Sequence, residues 1–274
     1  MRQERFDTPG PVTIEVYNKV GLIEVVGWDQ PFTEVEVDSN QDELLEDTSI
    51  SVSPTGAGHR VEVTVPARFR SPGQMISDAL SGPRFSFSFS TVSGATVRVR
   101  TPHEAVLHLR SLSADIAARG RFSCLAESTS GNVEIDQASD LRAKSLSGDL
   151  VVHRLEGSAQ LRTTSGDISA ADVRGGQVSL KTASGDLEVR SISSGDVRAE
   201  SASGDIRLGV LAGRTVQVQA SSVTGQASSD IDLDTVPPRG AGGEPADLVV
   251  IRAFTATGDV RIARVPSSFA ERAG

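Results

Sequence analysis

One tetrad dominates the second half of the chain. Ser-Gly-Asp followed by an aliphatic residue occurs at 147–150, 165–168, 184–187, 194–197 and 203–206. Ser130-Gly131-Asn132-Val133 and Thr257-Gly258-Asp259-Val260 are close variants. Less regular turns fill the gaps, so turn positions fall at 131, 140, 148, 157, 166, 175, 185, 195, 204 and 213. Each step is 8 to 10 residues, the length of one short strand and one tight corner. Between corners the chain alternates apolar and polar residues: Leu150/Val152, Leu187/Val189 and Ile206/Leu208 against Glu188, Arg190 and Arg207. Period-2 alternation marks a strand with one buried face. A unit this short cannot bury that face alone, so neighbouring units must stack.

Strict Ser-Gly-Asp or Ser-Gly-Asn corners sit at 131, 148, 166, 185 and 204, and the intervening corners mostly depart from that form. Two strands per rung, about 18–19 residues, therefore describes the repeat better than a nine-residue ladder. The expected fold is all-β: a two-sheet parallel β-solenoid with irregular capping strands at the N-terminus. Composition agrees, because a chain that is 38% hydrophobic but only 4% aromatic suits a thin aliphatic core. Gly at the corners suggests backbone with φ > 0, and Asp suggests a cap on nearby amides. Ser128, Ser145, Thr163, Thr182 and Ser201 share the parity of the inward aliphatics and predict a hydroxyl ladder at the core's edge. The stacked Asp149, Asp167, Asp186 and Asp205 repel one another unless amides, Arg or cations offset the charge.

The units TTSGDISAADV, TASGDLEVRSI and SASGDIRLGVL, after an N-terminal stretch TPGPVTIEVYNKVGLIEVVGWD, resemble the bacterial adhesin-like β-strand-repeat family. The resemblance covers most of the chain, with 67–93 and 234–246 as departures. It implies a β-solenoid domain of unknown function whose Ser-Gly-Asp motif is structural.

Four parts are expected. Residues 1–66 supply β-strands that cap the solenoid, and 67–93 form an insertion. Residues 94–265 are the repeat solenoid, in which 247–253 and 259–264 close the far end, and 266–274 are a tail. The insertion holds a capping-box signal at Ser71-Pro72-Gly73-Gln74, predicting a helix over 72–81. It then runs into a Phe-rich strand in which Arg84, Phe85, Phe87 and Phe89 compose an aromatic-plus-Arg patch. Such a composition favours interfaces, so these four residues are the candidate partner-binding site; the competing reading is a plug for the solenoid's end.

Charge is uneven along the chain. Residues 1–60 carry −8, 61–122 carry +4, 123–225 carry −3 and 226–274 carry −2. A net charge of −9 argues against nucleic acid as a partner, since phosphate neutralisation needs a basic footprint. A protein partner or self-association, or weakly an anionic membrane surface at the basic insertion, fits better. His59, His103, His108 and His153 are scattered without ligand spacing. The Gly-Asp order also differs from calcium-binding nonapeptide repeats, so no metal and no cofactor is expected. Cys124 reads as a core residue. No paired carboxylates stand out from a column that supplies one per rung, and the expectation is no enzyme. Met1–Asp7 lacks the apolar stretch of an export signal, which makes the expected location cytoplasmic. The resulting reading is a non-enzymatic binding or scaffold module, with an exported adhesin as the first alternative and a carbohydrate-active β-helix enzyme as the second.

Overall fold

The computed structural model describes residues 1–56, 58–66, 94–231 and 248–266. Nearly all of these lie in strands, many of which bend through a corner without interruption. Val106–Glu127, Ile168–Ser184 and Leu187–Ser203 each run from one face of the molecule onto the other. Successive rungs pair in parallel: Val133 with Leu150, Leu150 with Ile168, Ile168 with Leu187, Leu187 with Ile206. Those offsets of 17, 18, 19 and 19 residues are the two-strand rung expected from the corners. The chain is a parallel β-solenoid with two faces. One face stacks 121–127, 140–144, 159–162, 178–184 and 197–203, and the other stacks 113–119, 133–138, 150–155, 168–173, 187–192 and 206–211.

The core lies between the faces. Leu141, Ala159, Val178 and Val197 point inward from the first, and Leu150, Ile168, Leu187 and Ile206 from the second; all are at most 4% exposed and belong to one cluster. Burying each such Val, Leu or Ile contributes about 1.5–3 kcal/mol. Because every strand's aliphatics touch those of the rungs on either side, that gain exists only in the stack.

The corner residues form two columns. In the inner one, the Ser145 hydroxyl accepts the Gly148 N–H at 2.9 Å, and Thr163 of the following rung donates to the Gly148 carbonyl at 3.3 Å. Thr182, Ser201 and Thr255 donate likewise to the carbonyls of Gly166, Gly185 and Gly204. Asn18 starts the column, its amide donating to the Ala95 carbonyl at 2.8 Å. In the outer column, each Asp or Asn side chain accepts the backbone N–H of its counterpart one rung on, from Asn132–Asp149 at 3.0 Å to Asp205–Asp259 at 2.9 Å. Amides thus offset the stacked carboxylates, and Arg207 adds ion pairs to Asp186 and Asp205 at 3.3 and 2.8 Å. The inferred positive φ is met at Gly185, Gly195, Gly204 and Gly258, and the other corners show a second need for glycine. Gly148 and Gly166 are not at positive φ. A Cβ on Gly148 would lie 2.1 Å from the Gly131 carbonyl oxygen, and one on Gly166 would lie 2.5 Å from that of Gly148. Close approach of stacked backbones excludes any side chain there.

The two ends differ. At the N-terminal end Val12–Trp28 spans both faces and pairs in parallel with Val106–Glu127 on one side, and with Gly58–Val65 and Ala95–Pro102 on the other. Beyond these the direction reverses: Ser49–Thr55, Phe32–Asp38 and then Arg2–Asp7 add antiparallel. The acidic stretch holds the short helix Asp42–Glu46, which sets Leu44 into the core. The expected helix over 72–81 lies outside the described residues.

At the far end the expected order is corrected. Leu248–Thr257 and Val260–Val265 do not close the stack; they pair with 195–203 and 206–211 on one side and with Thr215–Thr224 and Ala227–Ser229 on the other. Among the described residues the last rung in space is 215–229. The reason lies in the side chains. Val249, Ile251, Val260 and Ile262 are fully buried and fill a two-sided position, whereas Val216, Val218 and Ala220 are only half-buried at the end.

Candidate binding groove

Alternation that sends Cys124, Leu141, Ala159, Val178, Val197 and Ile251 inward sends their neighbours out. Parallel, in-register stacking then lines those neighbours up: Leu125 beside Arg142, Arg142 beside Gln160, Gln160 beside Ser179, Ser179 beside Arg198, Arg198 beside Arg252. A second row runs alongside through Ser123, Asp140, Ser158, Gln177 and Asp196. Together with Val106 and His108 these rows line a shallow groove of about 560 Å³ that crosses seven strands. At 4.8 Å per strand its length is roughly 29 Å. A smaller hollow of about 410 Å³ continues it past Arg252 to Gln219 and Phe254, whose ring is 45% exposed.

The groove's charges are sorted along its length. Arg252 grips Asp196 with both carboxylate oxygens, at 2.8 and 2.9 Å. Glu200 sits between Lys181, at 2.7 Å, and Arg198, and their hydrogen bonds hold its carboxyl below the usual range. At the other end His108 lies 3.4 Å from Glu15. Arg142 has no ion pair among the described residues, and no side-chain hydrogen bond there engages Ser158, Gln160, Gln177 or Ser179. Hydroxyls and carboxamides both donate and accept. The centre of the groove therefore offers four uncommitted polar groups beside one uncommitted guanidinium.

Bond-making chemistry has little to work with here. Cys124 lies in the floor, 4% exposed, and burial pushes its thiol up to about 12, so it is not a nucleophile near neutral pH. Among the described residues no three His, Cys, Asp or Glu side chains cluster as metal ligands. What the arrangement supports is hydrogen bonding and ion pairing along a line.

Arg84, Phe85, Phe87 and Phe89 lie outside the described residues. The sequence reading drew nothing from the outward positions beyond their polarity, so it did not find the groove. Its signal was present in the polar half of the alternation. Lined up by corner, positions 125, 142, 160, 179, 198 and 252 read Leu, Arg, Gln, Ser, Arg, Arg, a column without a carboxylate.

A family model described as Toastrack DUF4097 matches residues 81–263. No curated protein matches the chain. Among solved structures, a candidate adhesin from Bacteroides fragilis is similar over 96% of this chain and 96% of its own, at 12% identity and a TM-score of 0.54. A candidate adhesin from Parabacteroides distasonis matches over the same shares at 12% identity and a TM-score of 0.37. A candidate cell adhesion protein from Clostridium sporogenes matches over 96% of this chain and 99% of its own, at 8% identity and a TM-score of 0.27. The Bacteroides protein shares the fold.

Proposed function

Since the chain belongs to the Toastrack DUF4097 family, an adhesin-like domain of unknown function, we propose that it is a non-enzymatic binding module whose groove takes an extended polypeptide segment of a partner protein. The observation that supports this reading is the pair of adjacent rows of uncommitted polar side chains, Gln160 and Ser179 beside Ser158 and Gln177, next to Arg142, which has no ion pair among the described residues. Amide-rich backbone is matched by groups that donate and accept. Arg142 suits an acidic side chain, and Leu125 and Phe254 offer apolar contacts towards the ends. At about 3.3 Å per residue, roughly nine extended residues fill the groove. Linear glycans fit less well, because no Phe, Tyr or Trp lines the groove itself and Phe254 stands only in the adjoining hollow. No helix among the described residues is long and apolar enough to cross a membrane.

Selection of nine-residue peptides from a display library on the whole chain tests the reading. The expected binders carry an Asp or Glu near one end and lose at least tenfold in affinity on Arg142→Ala or on Gln160→Ala with Ser179→Ala, with melting unchanged. Peptides that bind both variants as tightly as the parent, or tighter binding of a linear polysaccharide, would overturn it.

A further inference from the structure

The last rung is unlike every other. Residues 215–229 contain no Asp, Glu, Lys or Arg, in a chain that is 23% charged. Thr215–Thr224 and Ala227–Ser229 pair on one side only, with Leu248–Thr257 and Val260–Val265, and among the described residues nothing pairs with their outer edge. The Asp column also ends here. Gln226 takes the Asp position, its backbone N–H donating to Asp259 at 2.9 Å while its own side chain is neutral. Val216, Val218 and Ala220 point towards the core but stay half-buried, less enclosed than the aliphatics of the inner rungs.

Free strand edges are ordinarily guarded with charge, proline, bulges or a covering loop. The opposite end of this solenoid has both charge and proline. Arg2–Asp7 carries Arg2, Glu4, Arg5 and Asp7, Ser49–Thr55 contains Pro54, and both strands run antiparallel to their neighbours. Among the described residues, charge and proline guard one end and neither guards the other, which sets what can dock. We propose that the 215–229 rung is a self-association surface, on which a second copy of this chain docks tail to tail.

Two-fold symmetry fits the edge. An axis perpendicular to the faces brings Thr215–Thr224 against its own copy in antiparallel pairing, with Ala227–Ser229 doing the same on the other face. Period 2 keeps Val216, Val218 and Ala220 of both copies facing one continuous core. Like residues meet across such an interface, and like charges opposite one another would repel. A charge-free rung ending in Gln226 rather than Asp removes that repulsion, and Gln217 and Gln219 can hydrogen-bond their counterparts. The guarded N-terminal ends face outward, so the assembly closes at two copies.

Sedimentation of the full chain, with and without added salt, tests this. The expected result is a two-chain mass that changes little with ionic strength, since no charges are paired. Gln217→Lys with Gln219→Lys, both on exposed outward positions, should give a one-chain mass with cooperative melting retained. Gln217→Glu with Gln219→Glu should do the same, and mixing the two variants should restore the two-chain mass. A parent that stays single at all concentrations overturns the proposal, as does a Lys variant that remains paired or a mixture that stays single. Deleting 236–246 from a single-chain parent and thereby producing pairs would show that this segment, not a second copy, occupies the edge. The readout is mass alone, so it is independent of whether the groove binds a peptide.

Discussion

The backbone N–H of Asp186 donates to Oδ1 of Asp167, one rung earlier, at 2.7 Å. Asp186 in turn accepts the N–H of Asp205 at 2.8 Å. The carboxylate therefore acts as an acceptor that joins rungs, and its charge is incidental to that role. Asn132 already does the same job within the column. Asp186→Asn should accordingly change stability by less than about 1 kcal/mol, the most its exposed Arg207 pair is worth. Asp186→Ala leaves the Asp205 N–H without its acceptor and should cost about 1–3 kcal/mol. Denaturant unfolding of the two variants checks the contrast; equal losses would mean that charge, not acceptance, is what the column needs.

Two glycines separate backbone crowding from backbone conformation. Gly166 has ordinary φ but a neighbouring carbonyl where its Cβ would be. Gly213 has φ +85 and open space around it. Gly166→Val must push two rungs apart and should cost about 1–3 kcal/mol or more. Gly213→Ala meets only the left-handed penalty of about 1–2 kcal/mol, which Gly213→Asn should largely relieve. Melting of the three variants, with Gly166→Asn as the case that no conformational preference can rescue, decides between the causes.

Cys124 makes the pH prediction. Its folded thiol titrates at about 12, raised by burial alone from an ordinary value of 9.0. Folding stability from this group is intact below the unfolded thiol's pKa and falls as pH climbs towards the folded value, because the unfolded chain then ionises first. Thiol-reactive dye should leave the native protein unlabelled at pH 8 and label it stoichiometrically once it is unfolded. Cys124→Ser or Cys124→Ala should flatten the loss of stability between pH 9 and pH 11 relative to the parent. Rapid native labelling at pH 8 would contradict the burial.

Much of the solenoid is legible without coordinates because every rung repeats one corner. Ser145, Gly148 and Asp149 recur as a set in the following rungs, so their spacing gives the rung length and the parity of the strands. The crowding that demands glycine at 148 and 166 is not legible, since the carbonyl 2.5 Å from where a Gly166 Cβ would lie belongs to a residue 18 positions earlier. Nor is the groove, for a column such as Arg142, Gln160 and Ser179 exists only once register is known. Rung order is hidden for a related reason. Thr215–Thr224 and Leu248–Thr257 show the same alternation, and only the larger aliphatics of the second mark it for the two-sided place.

That exchanged order has a consequence for biosynthesis. A ribosome delivers 215–229 before 248–265, yet the position against 197–211 belongs to the later segment. The molecule therefore cannot be wound to completion in the order it is made. Either the seat stays vacant until the C-terminal strands emerge, or 215–229 occupies it first and is displaced by Val249, Ile251, Val260 and Ile262. A nascent chain halted near residue 235 would hold a frayed, exposed edge of the kind that recruits chaperones, and only emergence of 248–265 would fill the place beside 195–211.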